Sequence, residues 1–151
     1  MRIVLQRVTR ASVDVDGKTT GQIEAGLLAL VGVAEGDDDA DARAAAGKIA
    51  GMRIFPDAHG KMNLSVADAG GAVLLVSQFT LLGDVRKGRR PAFTAAAPPD
   101  RAVQILDALS DAIEATGLPV EHGRFGAHMV VDLVNDGPVT IVFDVTDGRV
   151  S

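Results

Sequence analysis

The residues best suited to chemistry fall in two short stretches, Ser77-Gln78-Phe79-Thr80-Leu81 and Asn135-Asp136-Gly137-Pro138-Val139-Thr140. The first ends the aliphatic run Val73-Leu74-Leu75-Val76, so a hydroxyl, a carboxamide and a second hydroxyl enter what reads as one continuing β-strand. With regular pairing, Gln78 and Thr80 share one face while Ser77 and Phe79 share the other. At least one polar side chain then enters an apolar layer and needs a partner: a backbone group, a water or a ligand. The second stretch lies between the apolar runs Met129 to Val134 and Val139 to Val145. Gly137 tolerates backbone angles closed to other residues, and Pro138 fixes φ, lacks an N–H and is the residue type that accepts a cis peptide cheaply. Such a joint can aim backbone carbonyls at a ligand. Read locally, it is an ordinary Asp-Gly-Pro turn between two strands.

Other chemistries find little support. Without cysteine there is no thiol nucleophile, thiolate metal site or disulfide framework, which suits a reducing cytoplasm. His59, His122 and His128 are too scattered for a metal site, so neither metal nor cofactor is expected. His128 and Asp132 fall on one face of an apparent strand and are expected to make a structural contact. No serine is placed beside them, and no nucleophile elbow, phosphate-binding loop, dinucleotide fingerprint or His-Glu-x-x-His motif occurs. An enzyme built on this chain has to work by positioning. The formal net charge is -5, so any contact with RNA has to be local. Its one candidate is Arg86-Lys87-Gly88-Arg89-Arg90, four cations in five residues, which also reads as a solvated loop.

The elements that must carry these residues are mixed. The 151 residues, 47% of them hydrophobic, fit one domain over 1–151 with a substantial core, and no apolar run is long enough to span a bilayer. Arg2 to Val15 predicts a strand, Asp16-Gly17 a hairpin, Gln22 to Glu24 its return, and Leu27 to Val33 a strand buried on both faces. Ala42 to Gly51 predicts a helix with acids at its start, and Arg53 to Pro56 a short strand. A turn at Asp57 to Gly60 places His59 in solvent, and an irregular stretch follows through Asn63 and Ser65. Pro98-Pro99-Asp100 starts a second helix whose face carries Ala102, Val103, Leu106, Leu109, Ala112 and Ile113, with Gly117 as its stop. Phe125 to Val134 reads as a strand with Phe125, Ala127, Met129, Val131 and Leu133 on its apolar side.

Taken together and in order, the two stretches resemble the D-aminoacyl-tRNA deacylase family. Supporting matches are Gln6-Arg7-Val8, Gly88-Arg89-Arg90-Pro91-Ala92-Phe93 and Phe125-Gly126-Ala127-His128-Met129. The resemblance implies an α/β chain of the α+β type: a β-barrel-like mixed sheet with a sheet lid and two flanking helices. It implies a cytoplasmic homodimer acting on the 3′-terminal adenosine of aminoacyl-tRNA, with active sites at the subunit interface. Ser77, Gln78, Phe79 and Thr80 would line the adenosine and ester side, Phe125 and Met129 would be apolar walls, and Arg86, Lys87, Arg89 and Arg90 would contact tRNA. The Gly137-Pro138 carbonyls of one subunit would reach into the other's pocket and exclude an L side chain, braced by Arg7 and with Asn135 alongside. Two mechanisms follow from the resemblance, Thr80 as nucleophile or water assisted by the ribose 2′-hydroxyl. The absence of a base placed to activate Thr80 favours the second.

Overall fold

The computed structural model describes residues 1–151. Alternation of apolar and polar residues sets β1 (Arg2–Val15), which turns through Asp16 and Gly17, both at positive φ, into β2 (Lys18–Ile23). The return strand therefore begins four residues before Gln22, as a two-residue hairpin requires. β3 (Gly26–Gly32) is the near-continuous apolar strand. α1 (Asp39–Gly51) starts from Asp38, whose carboxylate accepts the N–H groups of Ala40 and Asp41, while Asp41 accepts the N–H of Asp38 in return. That reciprocal cap satisfies donors a helix start otherwise leaves open. β4 (Phe55–Pro56) pairs with β5 (Met62–Leu64), so the stretch around Asn63 is a small two-stranded arm rather than irregular chain. Arg53 fastens it by donating to the backbone and side-chain oxygens of Asn63, a pairing local patterning does not signal. β6 (Ala72–Ser77), α2 (Pro99–Glu114), β7 (Val120–His122), β8 (Val130–Thr146) and β9 (Arg149–Val150) complete the chain.

One seven-stranded mixed sheet runs β7-β6-β3-β1-β8-β9, with β2 on β1 beyond the end of β3. β3, β6 and β7 are parallel neighbours, and the other pairings are antiparallel. Their side chains divide between two cores. Leu27, Ala29, Val31, Val73 and Leu75 face α1 and α2, whose Ala42, Ala45, Ala46, Ile49, Ile105, Leu109 and Ile113 close the larger core. Leu28, Leu74 and Val76 face the opposite way and meet Val8, Ala11, Val13, Val15 and Ile23 from the far half of β1 and from β2. The sheet thus curls until its own end lids its middle, which makes the expected barrel-like shape a half-barrel. Within α2, Ile105 and Ser110 join the buried face, while Val103 and Ala112 sit at its margin.

The curl closes where β2 meets β7. A Cβ on Gly21 would lie 2.3 Å from the carbonyl oxygen of His122, closer than such atoms approach, so the seam depends on a bare backbone. Gly21→Ala is expected to destabilise the fold by about 1–3 kcal/mol. The measurement is a urea titration, in which the midpoint falls at unchanged slope. An unchanged midpoint would mean that the seam opens freely.

Candidate active site

β6 ends earlier than its β-rich sequence suggests. The N–H of Gln78 makes a last bond to the carbonyl of Val31 at 2.8 Å, and the chain then tightens into a 3-10 turn over Phe79–Leu82. Gln78 and Thr80 therefore do not share a strand face with regular alternation. The turn lifts Phe79 and Thr80 to the surface and leaves their N–H groups at its start, where no carbonyl within the turn can accept them. The Gln78 side-chain amide donates to Thr80 Oγ1, and no His, Lys or carboxylate is bonded to that hydroxyl.

Beside this turn opens a cavity of about 690 Å³. Ser77, Gln78 and Phe79 form one wall, Phe93 and the Ala96–Ala102 approach to α2 a second, and the Phe125–Met129 segment a third. Phe79 and Phe93 meet edge to face, with ring centroids 5.1 Å apart. Phe125 to Met129 is a loop, not the start of a strand: Gly126 has φ +75° and β8 begins only at Val130. His128 lines the cavity but makes no pair with Asp132, whose carboxylate binds Arg10 Nη1 at 2.5 Å instead. The loop takes His128 off the strand face that the two residues would have shared. Phe93 and the segment entering α2 are site walls that sequence reading missed; the only signal was an aromatic ring directly after the basic loop.

The second stretch is not a hairpin turn. β8 continues through it, and the interruption is a bulge: Asn135 and Thr140 pair with Val8 and Gln6, so Arg7 alone faces the four residues Asp136–Val139. Side chains close the base of this excursion. Asn135 Oδ1 accepts the Val139 N–H at 2.7 Å, Asn135 Nδ2 donates to Thr140 Oγ1 at 3.0 Å, and Gln6 Nε2 reaches the same hydroxyl at 3.2 Å. The buried Arg7 guanidinium donates to the carbonyl of Asp136 at 3.0 Å and to that of Ile54 at 2.5 Å, and lies over the Phe55 ring at 6.0 Å. At the tip the Gly137-Pro138 peptide is cis and both residues are exposed. Gly137 has φ +136°, and a Cβ there would lie 2.7 Å from Val139 Cγ2, so no other residue fits. Neither tip residue, nor Arg7 nor Asn135, lines the chain's own cavity.

Residues 4–144 match the family model described as D-Tyr-tRNA(Tyr) deacylase. The chain belongs to this deacylase family. It is similar to proteins named D-aminoacyl-tRNA deacylase from Deinococcus deserti, 60% identical over 96% of this chain and 99% of that one, and from Rhodopirellula baltica, 58% identical over 96% and 100%. Among solved structures, one named c-Myc DNA Unwinding Element Binding Protein superposes with a TM-score of 0.89 at 38% identity, covering 95% of this chain and 98% of that one. A probable eukaryotic D-amino acid tRNA deacylase gives 0.78 at 20% identity over 94% and 97%, which speaks for the fold.

In this deacylase-family chain the basic loop hangs from the cavity wall. Asp84 and Ala92 bridge its base, directly before Phe93. Arg86 is bound by Asp84 through two contacts at 2.9 and 2.6 Å, and these bonds hold the Asp84 carboxyl below its ordinary range. Lys87, Arg89 and Arg90 make no such pair, leaving three free cations where the sequence suggested four. Elsewhere, Ser110 Oγ and His122 Nε2 are 2.7 Å apart, the one hydroxyl–imidazole contact in the chain. Ser110 is buried on α2, so this pair fastens α2 to β7 and offers no accessible nucleophile. No group of three or more His, Asp or Glu side chains is placed to share a metal ion, and no helix is long and apolar enough to cross a membrane.

Proposed function

We propose that this chain hydrolyses the ester of D-aminoacyl-tRNA to free D-amino acid and tRNA, acting as a cytoplasmic homodimer. The observation that carries this reading is the placement of the two family stretches. Ser77–Phe79 line a ring-walled cavity, while the Gly137-Pro138 tip projects from β8 and takes no part in it. A second copy can bring its tip to the cavity that one chain leaves incomplete. The surroundings of the tip favour this: Val130, Val134 and Val142 are exposed along β8, whose outer edge is paired only at its end, by β9.

The chemistry needs no strong base. The ammonium group beside an aminoacyl ester already activates the carbonyl, so orientation and donors at the developing oxyanion can supply the remaining rate. In our reading the terminal adenosine stacks among Phe79, Phe93 and Phe125, and the ester lies at Ser77 and Gln78. The free N–H groups of Phe79 and Thr80 meet the oxyanion. Water attacks the carbonyl carbon with help from the ribose 2′-hydroxyl, and the 3′-oxygen leaves with a proton. The partner's tip carbonyls face the α-amino group and occupy the space an L side chain would need. Lys87, Arg89 and Arg90 would meet backbone phosphates, a salt-sensitive contribution.

A filter made of backbone cannot reject glycine, which has no side chain to exclude, so glycyl-tRNA should be cleaved too. The test is release of amino acid from matched D- and L-tyrosyl-tRNA and from glycyl-tRNA. Cleavage of the D and glycyl esters with the L ester intact is expected. The likeness to a protein named for binding a DNA unwinding element favours a second reading, a non-catalytic nucleic-acid-end binder. Binding without release would establish that one, and release of both tyrosyl enantiomers would mark a general esterase.

A further inference from the structure

We infer that His128 reads the base of the nucleoside held in the cavity, through a hydrogen bond from its imidazole to the base edge. This rests on the proposed placement of a terminal adenosine there.

The cavity wall is almost entirely apolar: of its 17 residues only Ser77, Gln78 and His128 carry side chains that can hydrogen-bond. Ser77 and Gln78 lie together at the end of β6, and one N–H of the Gln78 amide is given to Thr80 Oγ1. His128 lies across the cavity in the loop before β8. Neither of its ring nitrogens makes a hydrogen bond within the chain, and Asp132, the acid nearest in sequence, is bound by Arg10. Its neighbours hold it in place. Ala127 and Met129 pack against the second core cluster and also line the cavity, so His128 is held between two anchored residues at the cavity wall with its side chain exposed.

The rings and the imidazole divide the work by their chemistry. Stacking on Phe79, Phe93 and Phe125 holds any base, since every base has a π-face. Telling one base from another needs a donor or an acceptor at its edge. A neutral imidazole supplies one of each, and adenine presents both ring-nitrogen acceptors and an amino donor. His128 is also the one titratable side chain on the wall, so no neighbouring charge competes for that edge.

The experiment uses the full chain and D-tyrosyl-tRNA whose terminal adenosine is natural or replaced by purine riboside, 1-deaza-, 3-deaza- or 7-deazaadenosine. Cleavage of the natural ester by the unmodified protein comes first, and failure there refutes the proposed function rather than the role of His128. His128→Ala should raise KM about tenfold with kcat within about twofold, and His128→Gln should restore most of the loss. One base replacement should cost the unmodified protein about tenfold and His128→Ala nothing more, because the bond is already gone. His128 is exposed and unbonded, so both variants should melt with the parent, a control that separates recognition from folding. A KM within twofold of the parent overturns the inference. So does a fall confined to kcat, or base replacements that each penalise His128→Ala as much as the parent.

Discussion

Replacing the terminal adenosine of a D-aminoacyl-tRNA by its 2′-deoxy form is expected to reduce cleavage by more than about 100-fold, the scale of a lost acid–base group. Thr80→Ala, by contrast, should retain activity within about tenfold. The asymmetry follows from what surrounds Thr80. Its hydroxyl accepts from the Gln78 amide, a group with no basicity to offer, and no imidazole, amine or carboxylate is bonded to it. A hydroxyl so placed is a poor nucleophile. In the proposed mechanism Thr80 contributes its backbone N–H at the start of the 3-10 turn, which alanine keeps. Rates measured with both substrates on both proteins decide the matter. A dead Thr80→Ala enzyme together with normal cleavage of the deoxy ester would assign the attack to Thr80.

Arg7→Ala is expected to abolish D-ester cleavage while leaving the protein folded but less stable by about 2–4 kcal/mol. The change strips donors from two carbonyls, those of Asp136 and Ile54, and empties the space against Phe55. Loss of stability and loss of activity can be told apart. Asp136 lies in the excursion and Ile54 just before β4, so the guanidinium ties the tip to a different part of the chain. Arg7→Lys retains the charge and stem but cannot reach both carbonyls in fixed directions. It should recover part of the stability and little of the activity. Thermal melts beside single-turnover rates measure this. A lysine variant with parental activity would show that charge, not direction, is what Arg7 supplies.

Where the fold is legible in the sequence, its signals are local. Asp16-Gly17 forces the hairpin, the apolar density of Leu27 to Val33 marks a strand covered twice, and Pro98-Pro99-Asp100 starts α2 where its composition says. What escaped reading depends on distant partners. β-prone residues at Phe79–Leu82 form a 3-10 turn because the ladder stops at Val31, which lies more than 40 residues earlier. Asp132, expected to meet His128 along one strand face, answers instead to Arg10 across the sheet. Ser77, Gln78, Phe79, Phe125 and Met129 were singled out from sequence and are brought to one cavity. Phe93 and His128 as walls of it became visible only once three separate segments were folded together.

The excursion at Arg7 also constrains how the chain can change in length. From Arg10 back to Gln6 is four steps along β1, while their partners Val134 and Thr140 are six steps apart on β8. The surplus of two lies within the excursion, and the odd-numbered residues on its two sides serve different cores, Val131 and Leu133 the second and Phe143 and Val145 the larger one. One residue lost or gained between Asp136 and Pro138, if the ladder slipped to follow, would turn either Phe143 and Val145 or Val131 and Leu133 away from their core, since a one-residue slip exchanges the faces of a strand. A change of length at this joint is therefore tolerable only where the excursion absorbs it and leaves the ladder with β1 in register on both sides. The two cores thus hold the register on either side of the tip, although neither Gly137 nor Pro138 belongs to them.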